Sequence, residues 1–286
     1  MDNQVKPTQR QNPLSQWFRQ PKIYIRLPSN GEFYPAGSLD VSANSEYPVY
    51  AMTAKDELMF KTPDALLNGQ STVDVIKSCI PAVLDPWKMP SLDVDAALIA
   101  IRIATYGENM DIRADCPGCG EENAYAIPLT DWLGNVTNFK YVSEIEVGEL
   151  TVHVRPYSYK EITKTSLQAF EQQRAISVIN DDKLSDEQKI EKFGESFSKL
   201  TELTVDIIAG CIKQIDTPNG STTDPAFISE FIHNSPTDVF EAVSQHIKGM
   251  KARIEMPNQK AKCTECELDF EIPITMDQSN FFAVRS

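Results

Sequence analysis

Histidine is almost missing from this sequence, with three in 286 residues. That leaves little material for proton relays or for nucleophiles activated by an imidazole. There is no GxxxxGK[ST] loop and no GxGxxG fingerprint, so nothing is built to cradle a phosphate chain. GxSxG and HExxH are absent as well. The paired carboxylates, Glu121-Glu122 and Asp181-Asp182, fall in polar loop sequence and read as solvated. No apolar run reaches the roughly 20 residues that span a bilayer. The opening stretch MDNQVKPTQRQNPLSQ has no apolar signal region, so secretion by that route is not expected. Positive charge is also scarce: 27 Lys and Arg stand against 41 Asp and Glu, a formal net charge of −14. Such a field repels nucleic-acid backbones and anionic lipid, so neither nucleic acid nor a membrane is an expected partner. The nearest thing to a basic patch is Lys248, Lys251, Arg253, Lys260 and Lys262, which reads as a solvated helix face and loop.

What is present is a pair of matching motifs. Residues 116–128 read CPGCGEENAYAIP and residues 263–273 read CTECELDFEIP. Each is a Cys-x-x-Cys followed by polar residues and a strand-like run ending in Ile-Pro. Such a turn points two sulfurs at one centre, and two turns complete a tetrahedron. Cys116, Cys119, Cys263 and Cys266 are therefore the expected ligands of one structural zinc ion. Four thiolates would close its coordination shell and leave no position for a substrate, so no enzyme activity is expected. The competing readings are unrelated loops with reduced thiols and a redox dithiol. A redox motif normally opens a helix in a βαβ setting, whereas here each motif precedes a strand-like run. Cys79 and Cys211 lie singly in apolar helical sequence and read as small packing residues. Lone buried thiols fit a reducing compartment.

Along the chain, residues 1–20 are rich in Gln and Asn and have little to bury. KIYIRL (22–27) alternates like a strand, Asn30-Gly31 marks a turn, and YPVYAM (47–52) is a second strand. Short helices follow. Thr53 with Asp56 caps one, Thr62-Pro63 to Gly69 bounds another, and Ser71 with Asp74 opens a third that Pro81 stops. LDVDAALIAIRIATY (92–106) is apolar on nearly every side and belongs in a core or a subunit contact. Asp131–Gly134 reads as a turn. Residues 145–155 form a hairpin about Gly148-Glu149, with His153 on its surface face. A helix runs from Ser158 to about 179. A long one begins at the Ser185/Gln188 capping box and carries Leu203, Ile207, Ile208, Cys211, Ile212 and Ile215. Two further helices start at Asp224-Pro225 and Ser235-Pro236; they hold His233 and His246, both read as structural or exposed. Phe281, Phe282 and Val284 return apolar side chains near the C-terminus, to pack on the ribbon or on a neighbour.

These elements add up to an α+β chain, mainly helical, with a small zinc-ribbon-like β module closed by two distant CxxC knuckles around an inserted helical domain. The expected divisions are a tail (1–21), a discontinuous domain (22–129 with 260–286) and an insertion (130–259) made of a β-hairpin plus helices.

The block YAMTAKDELMFKTPDALLNGQSTVDVIKSCIPAVLDPWKMPSLDVDAALIAIRIATYG, running into the CPGCG knuckle, resembles the baseplate protein family of contractile-tailed phages. The likeness is carried by MTAKDEL–MF–TPDAL, by IPAV–DPW and by the apolar helix ending in Tyr106-Gly107. It covers about 50–130, and the second Cys-x-x-Cys is similar to the closing half of the same module. T-even members of that family are baseplate hub assembly proteins. The resemblance thus implies a non-enzymatic protein of the tail baseplate, made in the host cytoplasm. Its partners would be other baseplate or hub proteins, with a homo-oligomer as a further option. It acts either as a virion component or as a chaperone absent from the mature particle. The other readings from the residues alone are a zinc-ribbon adaptor in a host complex and a thiol-exchange enzyme.

Overall fold

The most apolar stretch of the chain gathers the larger core around it. In the computed structural model, which describes residues 12–60, 69–167, 170, 185–274 and 281–282, Ser91–Tyr106 forms helix α3. Of its 16 residues, 13 are buried. Around it lie strands β1 (Pro21–Ile25) and β2 (Tyr47–Tyr50) and helices α1 (Ala54–Phe60) and α2 (Gln70–Cys79). The hairpin of β3 (Asn109–Asp115) and β4 (Glu122–Pro128) and helix α4 (Leu129–Thr137) complete the surround. The capping box at α1 forms as expected: Thr53 N–H donates to Asp56 (2.7 Å) and Asp56 N–H to the Thr53 hydroxyl (3.3 Å). Residues 131–134, expected as a turn, lie inside α4, whose Trp132 and Val136 are buried. The helix expected at 62–68 lies outside the described residues.

Two charged residues are buried in α3, and each ties down a distant segment. Asp93 accepts from the Ser29 N–H at 2.8 Å and the Ser29 hydroxyl at 2.5 Å. This holds a loop in which Asn30 (φ 53°), Gly31 (φ 83°) and Phe33 (φ 66°) are left-handed. Arg102 donates to the Phe281 carbonyl and lies 5.3 Å from the Phe281 ring centroid. Phe282 stacks on Phe60 at 4.5 Å, and Phe281 meets Trp132 edge-on. The two phenylalanines thus pack in the larger core, to which Met110 and Ile127 of the β3–β4 hairpin also belong.

A second cluster gathers on a four-stranded antiparallel sheet, in the order β5 (Glu144–Val147), β6 (Leu150–Val154), β7 (Ile212–Thr217), β8 (Gly220–Thr222). Its Val152, Val154, Ile212 and Ile215 meet α5 (Asp186–Gly210), α6 (Pro225–Asn234) and α7 (Thr237–Ala252) through Ile208, Ile228, Ile232, Val239, Val243 and Ile247. The expectation of a mainly helical chain is corrected here. The described structure is 44 % helix and 23 % strand, and ten strands form four antiparallel sheets among the described residues. The long helix stops at Gly210, and Ile212–Thr217 is a strand. Ile212 and Ile215 are three apart, a helical spacing. A register shift against His153/Val154 lets both face the core from a strand. No helix among the described residues is long and apolar enough to cross a membrane.

The clusters meet through specific side chains. Phe33 lies edge-on to Tyr141 at 5.5 Å, under the Lys213 ammonium at 4.7 Å. Beside this contact Arg155 grips Glu161 with two bonds (2.9 and 2.6 Å) and the Gly210 carbonyl with a third. Glu161 also accepts from the Ser158 N–H at 2.7 Å. Burial opposes the Glu161 charge, but Arg155 and Ser158 outweigh it and hold the carboxyl below its ordinary value. Its contribution is therefore present above that ordinary value and is lost as pH falls through the lower folded one. Glu161→Gln is expected to cost about 2 kcal/mol at neutral pH. In urea unfolding the gap to the natural chain should shrink at pH values below about 4.

Candidate metal centre

Each cysteine pair sits at the closed end of a two-stranded hairpin. Cys116 and Cys119 fall between β3 and β4, which pair from Asn109↔Pro128 to Asp115↔Glu122. Cys263 and Cys266 fall between β9 (Gln259–Lys262) and β10 (Asp269–Ile272), paired from Gln259↔Ile272 to Lys262↔Asp269. The two turns are built alike. The first cysteine donates its N–H five residues ahead, Cys116 to Glu121 and Cys263 to Leu268, both at 2.9 Å. Its carbonyl accepts from the residue after the second cysteine, Gly120 at 2.9 Å and Glu267 at 3.1 Å. Both of those residues are left-handed, Gly120 at φ 78° and Glu267 at φ 59°. Glycine suits that conformation and glutamate adopts it at a cost, so the second turn holds its shape against local preference.

The four sulfurs converge. Cys116 Sγ lies 3.6 Å from Cys266 Sγ and Cys119 Sγ lies 3.6 Å from Cys263 Sγ. All four fall within 4.8 Å of one another. A disulfide would place its two sulfurs about 2.05 Å apart. A tetrahedron of thiolates at about 2.3 Å from a metal has edges of about 3.8 Å, so the spacing fits ligands sharing one ion. Cys116 and Cys263 are buried, while Cys119 and Cys266 face solvent. The Cys266 backbone N–H stabilises the Cys263 thiolate and brings it down to about 6. At Cys119 the Glu121 backbone favours the thiolate, yet the bonds shared with Cys266, Cys263 and Cys116 push it up to about 12. Cys263 and Cys119 are thus pushed in opposite directions, and a cation at the centre would favour the thiolate.

Asn123 escaped the reading of the sequence. It is 3 % exposed, and it stitches the two hairpins together. Its amide N–H group donates to Glu121 O at 2.9 Å and points at Cys263 Sγ at 3.6 Å. Its carbonyl accepts from the Thr264 N–H at 2.9 Å and the Thr264 hydroxyl at 2.8 Å. The only hint in the sequence is a carboxamide at a position where the strand needs none. Tyr125 adds a bond to the Lys262 carbonyl at 3.1 Å and an edge contact with Phe270. Partners of this kind commonly carry a factor of roughly 10–100 in metal affinity. Asn123→Ala is expected to weaken metal retention by that factor in a chelator competition, with the four cysteines intact.

The histidines sit away from this centre. His153 bridges Glu144 (3.5 Å) and Asp216 (2.6 Å) on the sheet. His233 meets Asp206, and His246 donates to the Val142 carbonyl. Cys79 and Cys211 are fully buried in the two clusters.

The family model described as T4 bacteriophage base plate protein matches residues 21–283, a span that takes in both hairpins and both clusters. The chain belongs to that family. It is thus a phage baseplate structural protein, of a family that fits a place in the virion tail and suggests contact with other baseplate proteins. No curated protein and no solved structure matches it. Within a baseplate protein the four-cysteine cluster lies where two hairpins about 150 residues apart in sequence are held side by side.

Proposed function

We propose that this baseplate protein is a non-enzymatic fitting of the tail hub, clamped by one structural zinc ion on Cys116, Cys119, Cys263 and Cys266. The observation that carries the proposal is the convergence of four thiols from two turns of the same build. Soft thiolates in a tetrahedron suit zinc, and a closed shell stabilises without reacting. A part that must bear load between neighbours gains from a clamp at the point where its ends return. The reading divides the chain into 22–129 with 260–286, and 130–259 between them, each with apolar side chains to pack.

Mass spectrometry of purified phage particles tests the placement. Peptides of this chain should persist in the mature tail in proportion to other baseplate proteins. Their presence in lysate and loss from the finished tail would make the chain an assembly chaperone instead. Turnover of a disulfide substrate by the purified chain would overturn the non-enzymatic reading.

A further inference from the structure

Among the described residues β5 is an edge strand of the second cluster's sheet, paired on one side only, with β6. Val147 pairs with Leu150 and Ile145 with Val152 across the Gly148-Glu149 turn. Val154 N–H donates to the Ser143 carbonyl at 2.6 Å. In an antiparallel pair the bonded residues alternate. Ser143, Ile145 and Val147 therefore turn their backbone groups to β6, and Glu144 and Glu146 turn theirs outward. Along this edge runs a groove of about 490 Å³ between β5 and α7, lined by Val142, Ile145, Ala242, His246, Gly249 and Met250. Ala242 and Gly249 leave the space because they have almost no side chain. Val142 is 48 % exposed in it. His246 closes one end by donating to the Val142 carbonyl at 2.7 Å.

We propose that this edge and groove take an extended, alternately basic and apolar segment of another protein as an added strand. Side chains of an added strand opposite Glu144 and Glu146 would share the solvent face with those carboxylates, where opposite charges pair favourably. Glu144 also faces His153 Nδ1 at 3.5 Å, and Glu146 is exposed. The residue between them would point into the groove beside Ile145. Arg253, which also lines the groove, excludes a basic side chain there, so charge belongs only on the solvent side. A second copy offering the same edge would set its glutamates against these ones, a pairing that acidic edge residues prevent. The occupant is therefore a different, basic chain, bound by main-chain ladder bonds and groove-facing side chains. This rests on the reading of the protein as one that works through protein contacts, and it does not depend on the metal.

The test is amide NMR on the full chain with a capped alternating Lys-Val hexapeptide and its Glu-Val counterpart. The Lys-Val peptide should shift the Glu144 and Glu146 amides and protect them from exchange. The Glu-Val peptide should bind about tenfold more weakly. Glu144→Lys with Glu146→Lys should reverse the preference. Glu146→Pro, which removes an outward N–H and spares the β6 ladder, should weaken both. Equal binding of the two peptides, shifts on another surface, or an unchanged preference in the lysine variant would overturn the proposal. Metal content and presence in the particle are measured separately, so failure here leaves the proposed function standing or falling by its own tests.

Discussion

Cys263→Ser is expected to release the metal and unclamp both hairpins. Structural zinc contributes about 10–16 kcal/mol in isolated finger peptides at neutral pH. Here the first hairpin also leans on the larger core through Met110 and Ile127, and the chain leading into the second does so through Ile254 and Met256, so the loss should be several kcal/mol, not total unfolding. Cys116→Ser should behave the same way, and a strong chelator should do to the natural chain what the substitution does. Cys79→Ser and Cys211→Ser are the controls. Both residues are fully buried, Cys79 with the Arg19 guanidinium 3.7 Å from its sulfur, and neither belongs to the four-cysteine cluster, so those variants alter stability yet keep their metal. Metal analysis of the four variants beside thermal unfolding separates the two effects. Equal metal loss in all four would contradict the assignment.

Asp93→Ala should be the most damaging change away from the cysteines. It strands the Ser29 N–H and hydroxyl in a site with no access to water and frees the left-handed loop that carries Phe33 toward the second cluster. The expected cost is about 3 kcal/mol. Burial pushes this carboxyl from 3.8 up to about 6, against the opposing bonds from Ser29. With the folded value raised, the contribution of Asp93 is complete below pH 3.8 and is lost as pH rises through 6. Asp93→Asn does not titrate, so the stability of the natural chain relative to it should grow as pH falls from neutral toward 4. Urea midpoints of the two chains across that range check the sign.

Local chemistry was legible in the sequence. The two Cys-x-x-Cys turns, the Thr53/Asp56 and Ser185/Gln188 caps, the turn at Gly148-Glu149 and the apolar helix ending at Gly107 all depend on residues within a few positions of one another. What was missed depends on distant partners. Ile212 and Ile215 carry a helical spacing, and only pairing with Val154 and Val152 makes them a strand. Asp131–Gly134 has turn composition, but Trp132 is drawn into a helix by its place in the core and its bond to the Ile254 carbonyl. Asn123 and Arg102 look like ordinary polar residues until Thr264 and Phe281 arrive from the far end of the chain. The same holds for Phe281 and Phe282, whose pocket is formed by residues more than a hundred positions earlier.

X-ray absorption at the zinc edge, with metal quantified in the same purified full-length sample, tests the four-cysteine centre most directly. One zinc per chain surrounded by four sulfurs at about 2.3 Å is the expected result. A folded chain that takes up no zinc, a shell of mixed oxygen and sulfur ligands, or cysteines oxidised in pairs would contradict it.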